Sequence, residues 1–184
     1  AGEWSRYYTN RYLLPEDIVA AHKNGIIHFH DADYFAQHMH NCCLVNLDDM
    51  LQNGTCISGT HIDTPHSFAT ACTVASQIVA QVASSQYGGQ TITMSHLAPF
   101  VDVSRRKIRN RLSEELAEAG VEISEDKFNE LGEKEVRKEG ESGCQTIQYQ
   151  LITLQSTNGQ APFVTVFMYL HEVPEGRQRD DLAM

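Results

Sequence analysis

The chain has 184 residues, of which 41% are hydrophobic and 21% charged, with a formal net charge of -10. That is one domain's worth of chain, long enough to bury a core, and it excludes a disordered, collagenous or low-complexity polypeptide. The acidic balance argues against a general grip on DNA or RNA, and no apolar run approaches the ~18 residues that cross a membrane.

Five cysteines, two of them adjacent at positions 42 and 43, do not suit a secreted disulfide framework, so a reducing cytoplasm is expected. The chain starts without a methionine. It stops at Asp180-Asp181-Leu182-Ala183-Met184, which reads as the first turn of a helix, acids first. The simplest expectation is a segment of a longer protein.

In chain order, residues 12–24 read as a short helix with early acids, closed near Gly25. Residues 25–31 read as a strand leaving that helix, and residues 41–47 as a second short apolar run, followed by a turn at Asn53-Gly54. A long helix is expected over 65–87, with Thr64 as its N-cap and Pro65 in the first position. Small and apolar residues recur there at Phe68, Cys72, Ala75, Val79 and Val82, with Gly88-Gly89 as the closing signal. Twenty of the 38 positions from 104 to 141 are charged, which reads as a solvated helical excursion. The basic cluster Arg105, Arg106, Lys107, Arg109 and Arg111 at its start offers a phosphate site as the sharper reading. A periodic stretch from Cys144 to Leu154 leads to a loop over 155–160 and a strand over 161–170. Helices alternating with strands suggest an α/β fold.

The densest polar cluster runs from His28 to Cys43. On a strand, His28 and His30 would share one face. A metal-dependent hydrolase using His28, His30 and Asp31 is therefore one reading of the spacing, and a set of hydrogen-bonded histidines is the other. A nucleotide-binding or dimerisation module with no chemistry of its own is a further reading of the chain. Asn158 and Gln160 flank Gly159 where two amides can read a polar ligand, or make an ordinary turn.

The blocks GIIHFHDADY (25–34), HNCCLVNLDDML (40–51), TPHSFATA (64–71), QIVAQVASSQYGG (77–89) and YQLITLQSTNGQAPF (149–163) together cover much of the chain. In this order they closely resemble the anaerobic (class III) ribonucleoside-triphosphate reductases. The resemblance implies the N-terminal part of a ten-stranded α/β barrel of the glycyl-radical type. It implies reduction of ribonucleoside triphosphates to deoxyribonucleotides by glycyl and thiyl radical chemistry, with formate as reductant. Cys42 then matches the family's non-radical active-site cysteine, Asn41 its amide neighbour and His28 its active-site histidine. Asn158 and Gln160 match a motif near the substrate. The resemblance further implies an enclosed chamber around the Cys42 thiol and no metal held by this segment. Gln77, Gln81, Arg105 and Arg106 become candidates for an allosteric ATP or deoxynucleotide site near a homodimer interface. The ATP cone, radical-cysteine loop, zinc module and glycyl-radical domain are expected outside residues 1–184, and a radical-SAM activating enzyme is the expected partner.

Overall fold

A computed structural model describes residues 1–37, 39–156, 159 and 161–183. Its centre is a parallel three-stranded sheet ordered β1 (Cys43–Leu44), β4 (Gln90–Thr93), β5 (Val164–Phe167). Parallel neighbours cannot be joined by a tight turn, so each connection must carry a crossover. The first crossover holds α3 (Leu47–Gln52), the hairpin β2 (Thr55–Ile57) and β3 (Thr60–Ile62), and α4 (Phe68–Ala83). The second holds α5 (Ala98–Ala119) and α6 (Glu125–Thr153). Before the sheet stand α1 (Gly2–Tyr8), a π-helical turn at Thr9–Leu13 and α2 (Glu16–Lys23); α7 (Arg177–Ala183) follows it. The chain is thus mixed α/β with a parallel sheet.

The core lies between the sheet and α4, α5 and α6. Leu47, Leu51, Cys72, Ala75, Ile78, Val79, Ile92, Leu97 and Val136 are all but sealed from solvent. Alternation along the strands decides what faces it. Cys43, Gln90, Val164 and Ile92 belong to the helix-covered face and pack on or into the core. Leu44, Thr91 and Thr165 share a register row on the other face, which no helix covers among the described residues, and Leu44 is 82% exposed there. The buried Gln90 side chain ties the middle strand to α4 by donating to the Val79 carbonyl at 2.8 Å.

The α5–α6 hairpin departs from a wholly solvated excursion. Gly120 ends α5 in the left-handed conformation, and Ser124 caps α6 by accepting from the Lys127 amide. Arg105, expected among exposed charges, is only 5% exposed. Its guanidinium donates to Asp102, Glu133 and Asp181, and Arg177 on α7 shares Glu133. Burial opposes its charge, but the bonds it donates to Asp181 and Glu133 outweigh that and raise its pKa. Glu139 makes a second clamp. Its carboxylate accepts from the Ala69 amide at the start of α4 (3.0 Å) and from the Ser104 hydroxyl of α5 (2.8 Å). An anion at a helix N-terminus satisfies free amides and suits the helix dipole.

Several expectations need correction. The long helix is 68–83, about 24 Å of axis, capped by Ser67 accepting from the Thr70 amide. Thr64 instead donates to the Gln52 carbonyl. The periodic stretch from 144 is the last third of α6. The last strand is only 164–167. The β2–β3 hairpin was not anticipated; its turn residues Ser58 and Gly59 have φ of 50° and 80°, as a type I′ turn requires.

A Cβ on Gly143 would lie 2.5 Å from Phe68 and 2.9 Å from the Cys72 sulfur, both buried. Ala is favoured over Gly in a helix by about 1 kcal/mol, but overpacking costs about 1–3 kcal/mol. Gly143→Ala should therefore lower stability in urea unfolding; an increase would show that α4 and α6 separate freely. Arg105→Met leaves the Asp181 carboxylate, 7% exposed, without its main partner. It should destabilise by about 3 kcal/mol. The Arg105→Met/Asp181→Leu double variant should recover part of that loss, and a double-mutant cycle measures it.

Candidate functional site

Cys42 sits one residue before β1. Its thiol is exposed and donates to the Asn41 side-chain oxygen at 3.3 Å. Cys43, the next residue, turns into the core side; burial, then its neighbour Cys42, raise its thiol pKa. Strand alternation therefore groups Cys42 with Leu44 on the helix-free face. The segment is held by Gly88 and Gly89. The Gly88 amide donates to the Asn41 carbonyl at 2.6 Å, and the Cys43 amide donates to the Gly89 carbonyl at 3.2 Å. Phe163, just before β5, accepts from the Gln90 amide at 2.9 Å and covers Gly89. The approaches to β1 and β4 meet beside Cys42, and the approach to β5 lies against Gly89 next to them. In this chain the thiol is open to solvent rather than enclosed.

The expected strand over 25–31 is a compact loop. Gly25, at φ 70°, donates to the His22 carbonyl and Ile26 donates to Ala21, a Schellman closure that turns the chain back. Asp31 is left-handed at φ 55°, and its carbonyl accepts from the Tyr34 and Phe35 amides. His28 and His30 do come together, but through the loop and not along a strand. His28 Nε2 and His30 Nδ1 are 3.1 Å apart. His30 Nε2 lies 3.4 Å from Asp31, and His22 Nδ1 accepts from the Phe29 amide. With Arg6 and Asp33 they line a cavity of about 410 Å³, which Cys42 does not line. Two imidazoles whose nitrogens face each other are satisfied by hydrogen bonding. Among the described residues no group of three or more His, Cys, Asp or Glu is placed to hold a metal.

Gln77 and Gln81 lie one turn apart on the exposed face of α4, and Gln81 accepts from the Ser58 hydroxyl. Arg106 is exposed on α5, whereas the adjacent Arg105 is buried among carboxylates. Asn158 and Gln160 lie outside the described residues. Gly88-Gly89, expected to close the long helix, serves the sheet instead, since α4 ends at Ala83. Gln86 is a further residue of this site, with no role expected from its sequence context.

A family model described as anaerobic ribonucleoside-triphosphate reductase matches residues 1–184. The chain belongs to that family. Relatives named anaerobic ribonucleoside-triphosphate reductase are 39% identical over 169 residues in Salmonella typhimurium and 40% over 168 in Escherichia coli, each covering 90% of this chain and 22% of the relative. The relative of that name from Haemophilus influenzae is 39% identical over 168 residues, 90% of this chain and 23% of its own. The chain therefore spans less than a quarter of the length of these reductases. The metal-dependent hydrolase reading finds no support from the family match or from the histidine geometry.

Thiol environments give a further prediction. Burial, then Cys144 and Glu139, push the Cys72 thiol up to about 12. At neutral pH, alkylation followed by mass spectrometry should label Cys42 and Cys56 early and Cys72 only on unfolding. The folded state keeps this proton where the unfolded chain, near 9.0, releases it. The linked stability is intact below pH 9 and lost as pH rises toward 12. A Cys72→Ala variant should lack that part of the alkaline slope.

Proposed function

We propose that this chain is part of the catalytic subunit of an anaerobic reductase that converts ribonucleoside triphosphates to 2′-deoxyribonucleotides. The observation that carries the reading is Cys42, paired with an amide on the helix-free face of a parallel sheet. In an α/β barrel the helices lie outside and that face is the interior. The three strands are read as part of a ten-stranded barrel whose remaining strands enclose the Cys42 thiol.

The full-length enzyme is read as removing the ribose 3′-hydrogen with a cysteine-based radical derived from a glycyl radical, both in parts of the protein outside this chain. This chain supplies the chemistry at the neighbouring carbon. The proton released as the 3′-hydroxyl becomes a carbonyl goes to the departing 2′-hydroxyl, which leaves as water. The Cys42 thiol then gives its one hydrogen atom to the 2′-carbon radical, which an alcohol cannot do because its O–H bond is too strong. The Cys42 thiyl radical takes a hydrogen atom back from formate, which leaves as carbon dioxide while its remaining electron reduces the 3′-carbonyl. Asn41 orients the thiol hydrogen through its side-chain oxygen and offers its amide donors to the sugar hydroxyls. His28 serves as an acid–base group at the chamber wall, at a point this chain alone does not bring to Cys42. Asn158 and Gln160 contact substrate. Formate is the reductant, and zinc belongs to a module elsewhere in the protein.

Regulation is read on the outer surface. Gln77 and Gln81 on α4, with Arg106, contact an allosteric ATP or deoxynucleotide at a homodimer interface. Arg105 has its guanidinium engaged by carboxylates, so it supports this surface by holding α5, α6 and α7 together. A radical-SAM enzyme generates the glycyl radical, and the protein works in the cytoplasm.

The decisive test uses the full-length reductase. Cys42→Ala should abolish deoxynucleotide formation while leaving the electron paramagnetic resonance signal of the glycyl radical intact. Turnover at the wild-type rate would overturn the reading.

A further inference from the structure

The segment carrying Cys42 and the segment entering β4 run side by side, and their lengths do not match. His40 bridges Gln86, and Cys43 pairs with Gln90. Between these two rungs one segment advances three residues and the other four. The extra residue makes a bulge, a feature uncommon in parallel pairs and suited to re-aiming a side chain. Consecutive amides of Tyr87 and Gly88 both donate across the gap, to the His40 and Asn41 carbonyls at 3.1 and 2.6 Å.

The bulge presses bare backbone against the site. A Cβ on Gly88 would lie 2.3 Å from both oxygens of Asn41 and 2.7 Å from the Cys42 sulfur. Gly88 is not left-handed, so alanine is allowed by the backbone there and excluded only by Asn41 and Cys42. Behind it, the Gln86 side chain is buried, 4% exposed, and donates to the Gly88 carbonyl at 3.1 Å. Glutamine, glycine and the Asn41–Cys42 pair thus form a single stack, with the thiol at its open end.

We propose that Gly88, braced by Gln86, is a positioning element for the reaction: its backbone fixes the Asn41 side chain and the direction of the Cys42 thiol. This rests on the catalytic reading of Cys42. The thiol must reach one sugar carbon, and a displacement of about 1 Å at a reacting group can lower the rate about a hundredfold. A methyl group at residue 88 must move the thiol or the amide by a comparable distance, since neither contact below 3 Å can persist. Loss of the Gln86 donor relaxes the same stack without adding bulk.

The test compares Gly88→Ala and Gln86→Met in the full-length reductase with the wild type. Gly88→Ala should lower kcat for deoxynucleotide formation at least about tenfold, with nucleotide KM and glycyl-radical content unchanged. Gln86→Met should lower kcat in the same way by a smaller factor. In both, the alkylation rate of Cys42 relative to Cys56 should shift, a reading that a general loss of stability would not produce selectively. Wild-type kcat and an unchanged labelling ratio in both variants would overturn the proposal. If Gly88→Ala does not yield folded enzyme, Gln86→Met decides by the same two measurements. Activity retained by Cys42→Ala would instead defeat the catalytic reading itself, so the two failures are distinguishable.

Discussion

Parallel pairing of β4 with strands on both its edges is the constraint from which the rest of this structure follows. A parallel neighbour needs a long return path, and both return paths here pass over the same face. That face acquires α4, α5 and α6 and becomes the core. The other face is left with Leu44 and the threonines of β4. Cys42 derives its exposure from this asymmetry, since alternation puts it opposite Cys43.

Electrostatics then fix how the second crossover sits. A helix pair as polar as α5–α6 gains little from burial along its outer length. Its position is set where polar groups are withdrawn from water and paired. Glu139 joins the start of α4 to α5 through an amide and a hydroxyl. Arg105 joins α5 to α6 through Glu133 and to α7 through Asp181. Gly143 lets α6 approach Phe68 and Cys72 at distances any larger residue would prevent. Arg109 adds a contact over the Phe128 ring, 4.9 Å from its centre. These contacts are directional, and they hold the hairpin in one register where apolar burial alone would leave it free to slide.

What was legible in the sequence was local. The spacing of Phe68, Cys72, Ala75 and Val79 marked the buried face of α4, and each of these residues is buried. Acids before Ala20 and glycine at 25 bracketed α2. The misses share a physical cause. The partners of Arg105 on α6 and α7 lie 28 and 76 residues away in sequence, so a cluster of basic residues gave no sign that one member is buried. His28 and His30 were expected on a strand because alternate residues share a face there. Tertiary turns at Gly25 and Asp31 brought the same rings together by another route. Gly88-Gly89 sits where a helix cap is common, and only the neighbouring strand reveals that the glycines make room for Asn41, Cys42 and Phe163.

Cys42 and Cys43 show why residue type alone does not assign a role. They are identical and adjacent, yet one thiol is exposed beside an amide and the other packs against the core. Burial makes ionisation of Cys43 harder and removes it from any substrate. The difference comes from strand parity, and parity here depends on register. A one-residue slip between the Cys42 segment and the approach to β4 would exchange the two thiols between core and open face. The register is already offset by one residue at Gly88, immediately before regular pairing begins at Cys43 and Gln90. Below the bulge His40 is aligned with Gln86; above it the ladder is regular. Removing the extra residue would force either Cys43 out of the core or Gln90 away from Val79. The bulge therefore reconciles two requirements: a ladder whose register turns Cys43 and Gln90 toward the core, and a close approach of the Gly88 backbone to Asn41 and Cys42 just before that ladder begins.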